Sequence, residues 1–226
     1  MSDSIRREGI GMTSLRTRER LVTRLIEQGI QRIDVLEAIR STPRHLFIDE
    51  ALSHRAYEDV ALPIGFNQTI SQPYIVARMT EVILNAAPED AKILEIGTGC
   101  GYQSAILAGS VRHVYSIERI RPLLERTRRR FQELRIRNVT VKCADGNLGW
   151  PQYAPFDCII TTCAATEVPQ ALLEQLAEGG VLVIPVGGRE QQELKLYRKT
   201  DGKISDATLE AVRFVPLLGG VENGPG

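Results

Sequence analysis

KILEIGTGCG, residues 92–101, runs from a short apolar segment into three glycines on alternate positions. Lys92 to Ile96 reads as a buried strand, Gly97, Gly99 and Gly101 as a turn stripped of side chains, and Tyr102 to Ala108 as a helix. Glycine admits positive φ and lets a ligand approach the backbone, while the helix that follows offers amide protons to a negative group. A second apolar strand, His113 to Ile117, ends at Glu118, roughly twenty residues after the first glycine, where a carboxylate can accept both hydroxyls of a ribose. The glycine spacing differs from the G-x-G-x-x-G of dinucleotide sites, so a pyrophosphate is not the obvious ligand. Glu95, next to the turn, would repel a pyrophosphate and attract a sulfonium, which favours S-adenosylmethionine over a nicotinamide. The alternative is a strand-turn-helix whose glycines serve only tight packing.

Outward from this turn the chain alternates strand and helix. The spacing predicts a helix from Pro122 to Leu134, strands at Val139–Cys143 and Phe156–Thr161, a helix from Pro169 through Leu176, and a strand at Val181–Val186. Continuous apolar runs of this kind suit parallel strands buried on both faces. Glu193–Lys199 and Leu209–Val215, on either side of Asp201-Gly202, read as an antiparallel hairpin. The fold class is therefore α/β, doubly wound, with N-terminal helices ahead of it and a C-terminal hairpin behind. Ligands of such sheets lie beyond the carboxyl ends of the strands. Those ends are Glu95 with the glycines, Glu118, Asp145 with Gly146, and Thr161 to Ala165. Asp145 is either an acceptor for an adenine amino group or the first residue of an Asp-Gly turn.

Ahead of the turn, helices are expected at Arg16–Gln28 and from an Asp34 cap to Ser41, with Pro43 forcing an exit. Arg44 to Asn67 is aperiodic and reads as a long ordered loop, a kind of segment that is often functional. It leads into Gln68-Thr69-Ile70-Ser71-Gln72-Pro73-Tyr74, where Pro73 suits the first turn of a helix capped by Gln72. Ser71 and Thr69 could each supply a capping hydroxyl or a catalytic one. The chain divides into a loose extension at 1–14, a single unit at 15–220 and a loose tail at 221–226. Within the unit, 15–90 forms the helices and covering loop, and 91–220 the nucleotide-binding core.

The 226 residues hold 28 basic and 28 acidic side chains, a balance with no general attraction for polyanions, so nucleic acid is not the expected partner. The arginines at 126, 128, 129, 130, 135 and 137 read as a solvated helix face. Four cysteines without a C-x-x-C pair and three scattered histidines indicate neither a metal site nor a disulfide framework. No apolar run approaches membrane-spanning length, and a cytoplasmic monomer is expected. Thr161-Thr162-Cys163-Ala164-Ala165 lacks the polar-Pro-Pro-aromatic clamp of amino-methylating enzymes, and Cys163 lacks the adjacent proline of a covalent thiol site. A small strand end of this kind leaves room for an acceptor that needs little activation, such as a carboxylate.

Pro63-Ile64-Gly65, Gln68 to Tyr74, Leu94 to Gly101, Glu118-Arg119-Ile120, Asp145-Gly146, Ala154 to Asp157, Gly179-Gly180 with Pro185-Val186-Gly187, and Val212 to Leu217 together resemble the protein-L-isoaspartate O-methyltransferases. The resemblance covers about Leu15 to Leu217. It implies a mostly parallel, seven-stranded sheet of the S-adenosylmethionine-dependent methyltransferase type and methyl transfer to the α-carboxylate of L-isoaspartyl residues in damaged proteins. It implies that Ser71 is the active-site serine. By the same resemblance Gln68, Thr69, Ile70, Ser71, Arg119, Asp145 and Gly146 join Glu95, Gly97, Thr98, Gly99, Gly101 and Glu118 as cofactor-binding positions. Cys100 departs from the small hydroxyl residue usual in the turn. The Cys163 and Thr166 neighbourhood and the residues after Leu217 are less regular, so the resemblance assigns no cofactor contacts to the C-terminal end.

Overall fold

Parallel strands form where β-branched and other apolar residues can be covered on both sides, and the computed structural model, which describes residues 8–88 and 90–224, places them so. Two helices come first, α1 (Leu15–Glu27) and α2 (Ile33–Ser41). A short hairpin follows, β1 (Leu62–Gly65) with β2 (Gln68–Ile70), and then α3 (Pro73–Ala86). The core alternates β3 (Lys92–Ile96), α4 (Tyr102–Ala108), β4 (His113–Glu118), α5 (Arg121–Leu134), β5 (Val139–Cys143), β6 (Phe156–Thr161) and α6 (Gln170–Glu174). It ends in β7 (Leu176–Gly187), β8 (Gln192–Thr200) and β9 (Lys203–Val212). The seven-stranded sheet has the order β5-β4-β3-β6-β7-β8-β9, parallel up to β7 and antiparallel across β8 and β9. The chain moves to one side after β3 and to the other after β6, so the switch point lies between those strands, next to the glycine turn. The doubly wound class and the C-terminal hairpin are as expected.

Several boundaries differ, each for a physical reason. The Arg44–Asn67 loop is built of two 3-10 turns, Arg44–Phe47 and Glu50–Arg55, and the β1–β2 hairpin, whose corner residues Phe66 and Asn67 both take φ 54°. Helix α6 is one turn long, because β7 starts at Leu176 and pairs with Phe156 before a bulge restores the register at Val181. The two-residue Asp201-Gly202 turn pairs Thr200 with Lys203 directly, so β9 begins six residues earlier than its apolar alternation indicates. Asp34 lies inside the first turn of α2, not at its cap. The amides of Gln31 and Arg32 go to Glu81 of α3 at 2.7 and 3.0 Å.

Over Val221–Gly224 the expected loose tail is instead anchored. Glu222 pairs with Arg119 at 2.9 Å and exchanges backbone hydrogen bonds with Arg119 and Arg121. Of the expected N-terminal extension, residues 1–7 lie outside the described residues. Gly11–Thr13 forms a 3-10 turn, and the backbone of Glu8 accepts from Arg18.

Candidate functional site

At the carboxyl ends of β3, β4 and β6 a cleft encloses about 800 Å³, its open mouth included, within the range of small-ligand sites. Its walls are Gln68–Ser71, Ile96–Cys100, Ile117–Ile120, Gly146, Thr162–Cys163 and Val215–Leu218, with Val76, Tyr102 and Gln103 at the base. Ten expected residues thus share one cleft: Gln68, Thr69, Ile70, Ser71, Gly97, Thr98, Gly99, Glu118, Arg119 and Gly146.

The glycine turn works by shape. Gly97 takes φ 96°, and a Cβ there would overlap Thr162 Oγ1; a Cβ on Gly101, at φ 88°, would overlap the Phe131 ring. The amides of Gly97 and Thr98 donate to Ile117 O, that of Gly99 to Glu118 Oε2 at 2.8 Å, and that of Gly101 to Thr98 O. These four amides are therefore engaged within the fold, and the turn offers close approach more than free donors. Gly101 itself packs behind the wall.

Glu118 stands in the position its spacing predicts. The side chain is buried, Oε1 accepts from Ile120 N at 2.9 Å and Oε2 from Gly99 N, and burial raises its pKa against the pull of those bonds. Each oxygen keeps acceptor capacity toward the cleft. Arg119 beside it is held by Glu222.

Besides Gly101, two expected cofactor-binding residues, Glu95 and Asp145, lie off the cleft wall. Glu95 is fully buried behind the wall, where Oε2 accepts from Ser116 Oγ at 2.6 Å and from Ser104 Oγ. Side chains alternate along a strand, and this one faces α4, not the cleft. Burial pushes its pKa up to about 7, with the serine hydroxyls pulling it down and the charge of Glu118 pushing it up. A carboxyl whose folded pKa exceeds its unfolded value loses stability as pH rises between the two. Glu95→Gln should accordingly flatten the fall in melting temperature between pH 5 and 7 and melt above wild type at pH 8. Equal slopes for both proteins in thermal melts would contradict this. Asp145 is not among the residues that line the cleft. Its oxygens accept from Asn147 N, Asn147 Nδ2 and, at 2.7 Å, Gly220 N, so it forms the turn and ties down the C-terminal segment. Burial alone would raise its pKa, but these bonds hold it below the usual carboxylate range.

Ser71 separates its two readings in the structure. The first-turn amide of Tyr74 donates to Asp59 Oδ1 at 2.8 Å, and Gln72 Nε2 donates to Asp59 Oδ2 at 3.0 Å. A carboxylate twelve residues before Ser71 therefore caps α3, and the serine is left on the cleft wall.

Thr162, within the expected Thr161–Ala165 strand end, donates its hydroxyl to Gly97 O at 2.6 Å, whereas sequence reasoning missed the Val215–Leu218 wall. That wall is fixed by Ala164 N donating to Val215 O and Leu217 N donating to Ala164 O. The Arg213-Phe214-Val215-Pro216-Leu217 run was the available signal. Cys163 is buried, and burial pushes its thiol up to about 12, which disfavours the thiolate a nucleophile needs. Among the described residues no cluster of three or more His, Cys, Asp or Glu could hold a metal ion.

The family described as protein-L-isoaspartate(D-aspartate) O-methyltransferase matches residues 16–222. A protein-L-isoaspartate O-methyltransferase of Saccharophagus degradans is 57% identical over 220 residues, 97% of this chain and 99% of the relative. One of Pseudomonas aeruginosa is 61% identical over 209 residues, 92% of this chain and 99% of the relative. A solved protein-L-isoaspartate O-methyltransferase superposes with TM-score 0.81 at 30% identity, covering 91% of this chain and 67% of the other. A beta-aspartate methyltransferase of Plasmodium falciparum, solved with S-adenosyl-L-homocysteine, gives 0.78 at 25%, covering 88% and 97%.

Proposed function

Because the chain belongs to the protein-L-isoaspartate(D-aspartate) O-methyltransferase family, we propose that its cleft seats cofactor and acceptor together, with Glu118 and the glycine turn on one side and Ser71 on the other. The enzyme moves a methyl group from S-adenosylmethionine to the free α-carboxylate of L-isoaspartyl residues in damaged proteins, and the ester leads through a succinimide back to aspartate. The observation that carries the site assignment is Ser71 on the cleft wall with its capping role taken by Asp59.

The residues present fit the cofactor. Glu118 is a buried acceptor suited to ribose hydroxyls, and Gly97 and Gly99 leave their part of the wall open to the backbone. Gln68, Thr69, Ile70 and Arg119 would close over it. Bound there, S-adenosylmethionine supplies an electrophilic methyl carbon on a sulfonium. The chain's own work is positioning. An isoaspartyl α-carboxylate is an anion at neutral pH, so no base is needed to make it a nucleophile. The Ser71 hydroxyl donates a hydrogen bond that orients this carboxylate, and the apolar Val215–Leu218 wall keeps water out.

The four free thiols support a reducing, cytoplasmic setting. The proposed reading also takes the enzyme as a monomer acting on polypeptide and not on nucleic acid, in keeping with its balanced charge. Mass spectrometry of the methylated peptide tests the acceptor assignment. One methyl ester on the isoaspartyl residue is expected, and a methyl group on nitrogen would refute it.

A further inference from the structure

Among the described residues Arg44 is the largest fully buried side chain. A guanidinium keeps its charge in a protein interior, and a buried charge is ordinarily matched by a carboxylate. Here the partners are neutral. Nε donates to Ala56 O at 2.9 Å and Nη2 to Ser71 O at 2.8 Å, while Nη1 meets no acceptor. The guanidinium carbon lies 4.8 Å from the centroid of the Tyr102 ring, and Tyr102 and Ser71 both line the cleft. An unneutralised cation thus stands one layer behind the wall at Ser71. The cleft's own carboxylate, Glu118, would repel an incoming anion, with buried Glu95 adding to it.

We propose that Arg44 is a positioning residue for substrate charge: it fixes the Ser71 backbone and supplies the positive potential that makes the cleft prefer an acceptor with a free carboxylate. The inference rests on the reading of Ser71 as the group that receives that carboxylate. A structural role alone would require Arg44 to hold three loop segments together and would leave the charge preference untouched.

The test compares an isoaspartyl peptide with its α-carboxamide twin, each titrated by calorimetry into enzyme saturated with S-adenosylhomocysteine. Wild type should prefer the carboxylate about tenfold or more. Arg44→Met should lower that preference at least about fivefold while the affinity for S-adenosylhomocysteine stays within about twofold. A folded Arg44→Met that prefers the carboxylate as strongly as wild type overturns the proposal. If Arg44→Met does not fold, Arg44→Gln, which removes the charge and keeps hydrogen-bond donors, takes its place, and an undiminished preference in that folded variant also overturns the proposal. Equal binding of both peptides by wild type would instead remove the Ser71 reading on which the proposal stands.

Discussion

Ser71→Ala is expected to lower kcat for methyl transfer to an isoaspartyl peptide by about 10²-fold, the scale seen when one oriented donor is removed from a reacting group. Affinity for S-adenosylmethionine should stay nearly intact, because the cofactor side of the cleft rests on Glu118 and the glycine turn. The fold should tolerate the change. Helix α3 is capped by Asp59 and not by this hydroxyl, so the melting temperature should remain within a degree or two of wild type, as for a half-exposed site without a structural bond. Single-turnover kinetics with preloaded cofactor separate the two effects. Unchanged methyl transfer would take Ser71 out of the reaction, whereas a large fall in cofactor affinity would move it to the other half of the site.

Glu118→Ala should weaken S-adenosylmethionine binding by about 1.5 to 3 kcal/mol, the range for hydrogen bonds to a charged group, or ~10- to 100-fold in Kd. Two effects add. The ribose hydroxyls lose their acceptor, and the amides of Gly99 and Ile120 lose theirs, which loosens the turn. Glu118→Gln retains one side-chain oxygen and should fall between wild type and Glu118→Ala. Calorimetry that shows unaltered affinity in Glu118→Ala would remove this residue from the site.

What could be read from the residues followed from local physics. β3 and β6 are buried on both faces and so are rich in apolar residues, and the three glycines with Glu118 mark the switch point before any coordinate is known. Non-local partners were not legible. The cap of α3 comes from Asp59, across the hairpin, and the amides ahead of α2 are met by Glu81 fifty residues away. Phe66 and Asn67 turn the β1–β2 hairpin with positive φ but without the Asn-Gly or Asp-Gly pair that would announce it. Glu95 lies on the expected strand, but its burial was not legible, since the neighbours that bury it, Ser104 and Ser116, are set by the packing of α4 on the sheet. Arg44 lies in a short 3-10 turn with no periodicity to show its burial. The anchoring of Glu222 by Arg119 depends on a pairing across 103 positions that no local pattern records.

The identity of the acceptor is the claim on which the rest depends. Labelled S-adenosylmethionine offered with a synthetic isoaspartyl peptide and, separately, with its normal aspartyl twin measures it directly. The account predicts saturable label transfer to the isoaspartyl peptide and background transfer to the twin. Comparable transfer to both, or to neither, would contradict it.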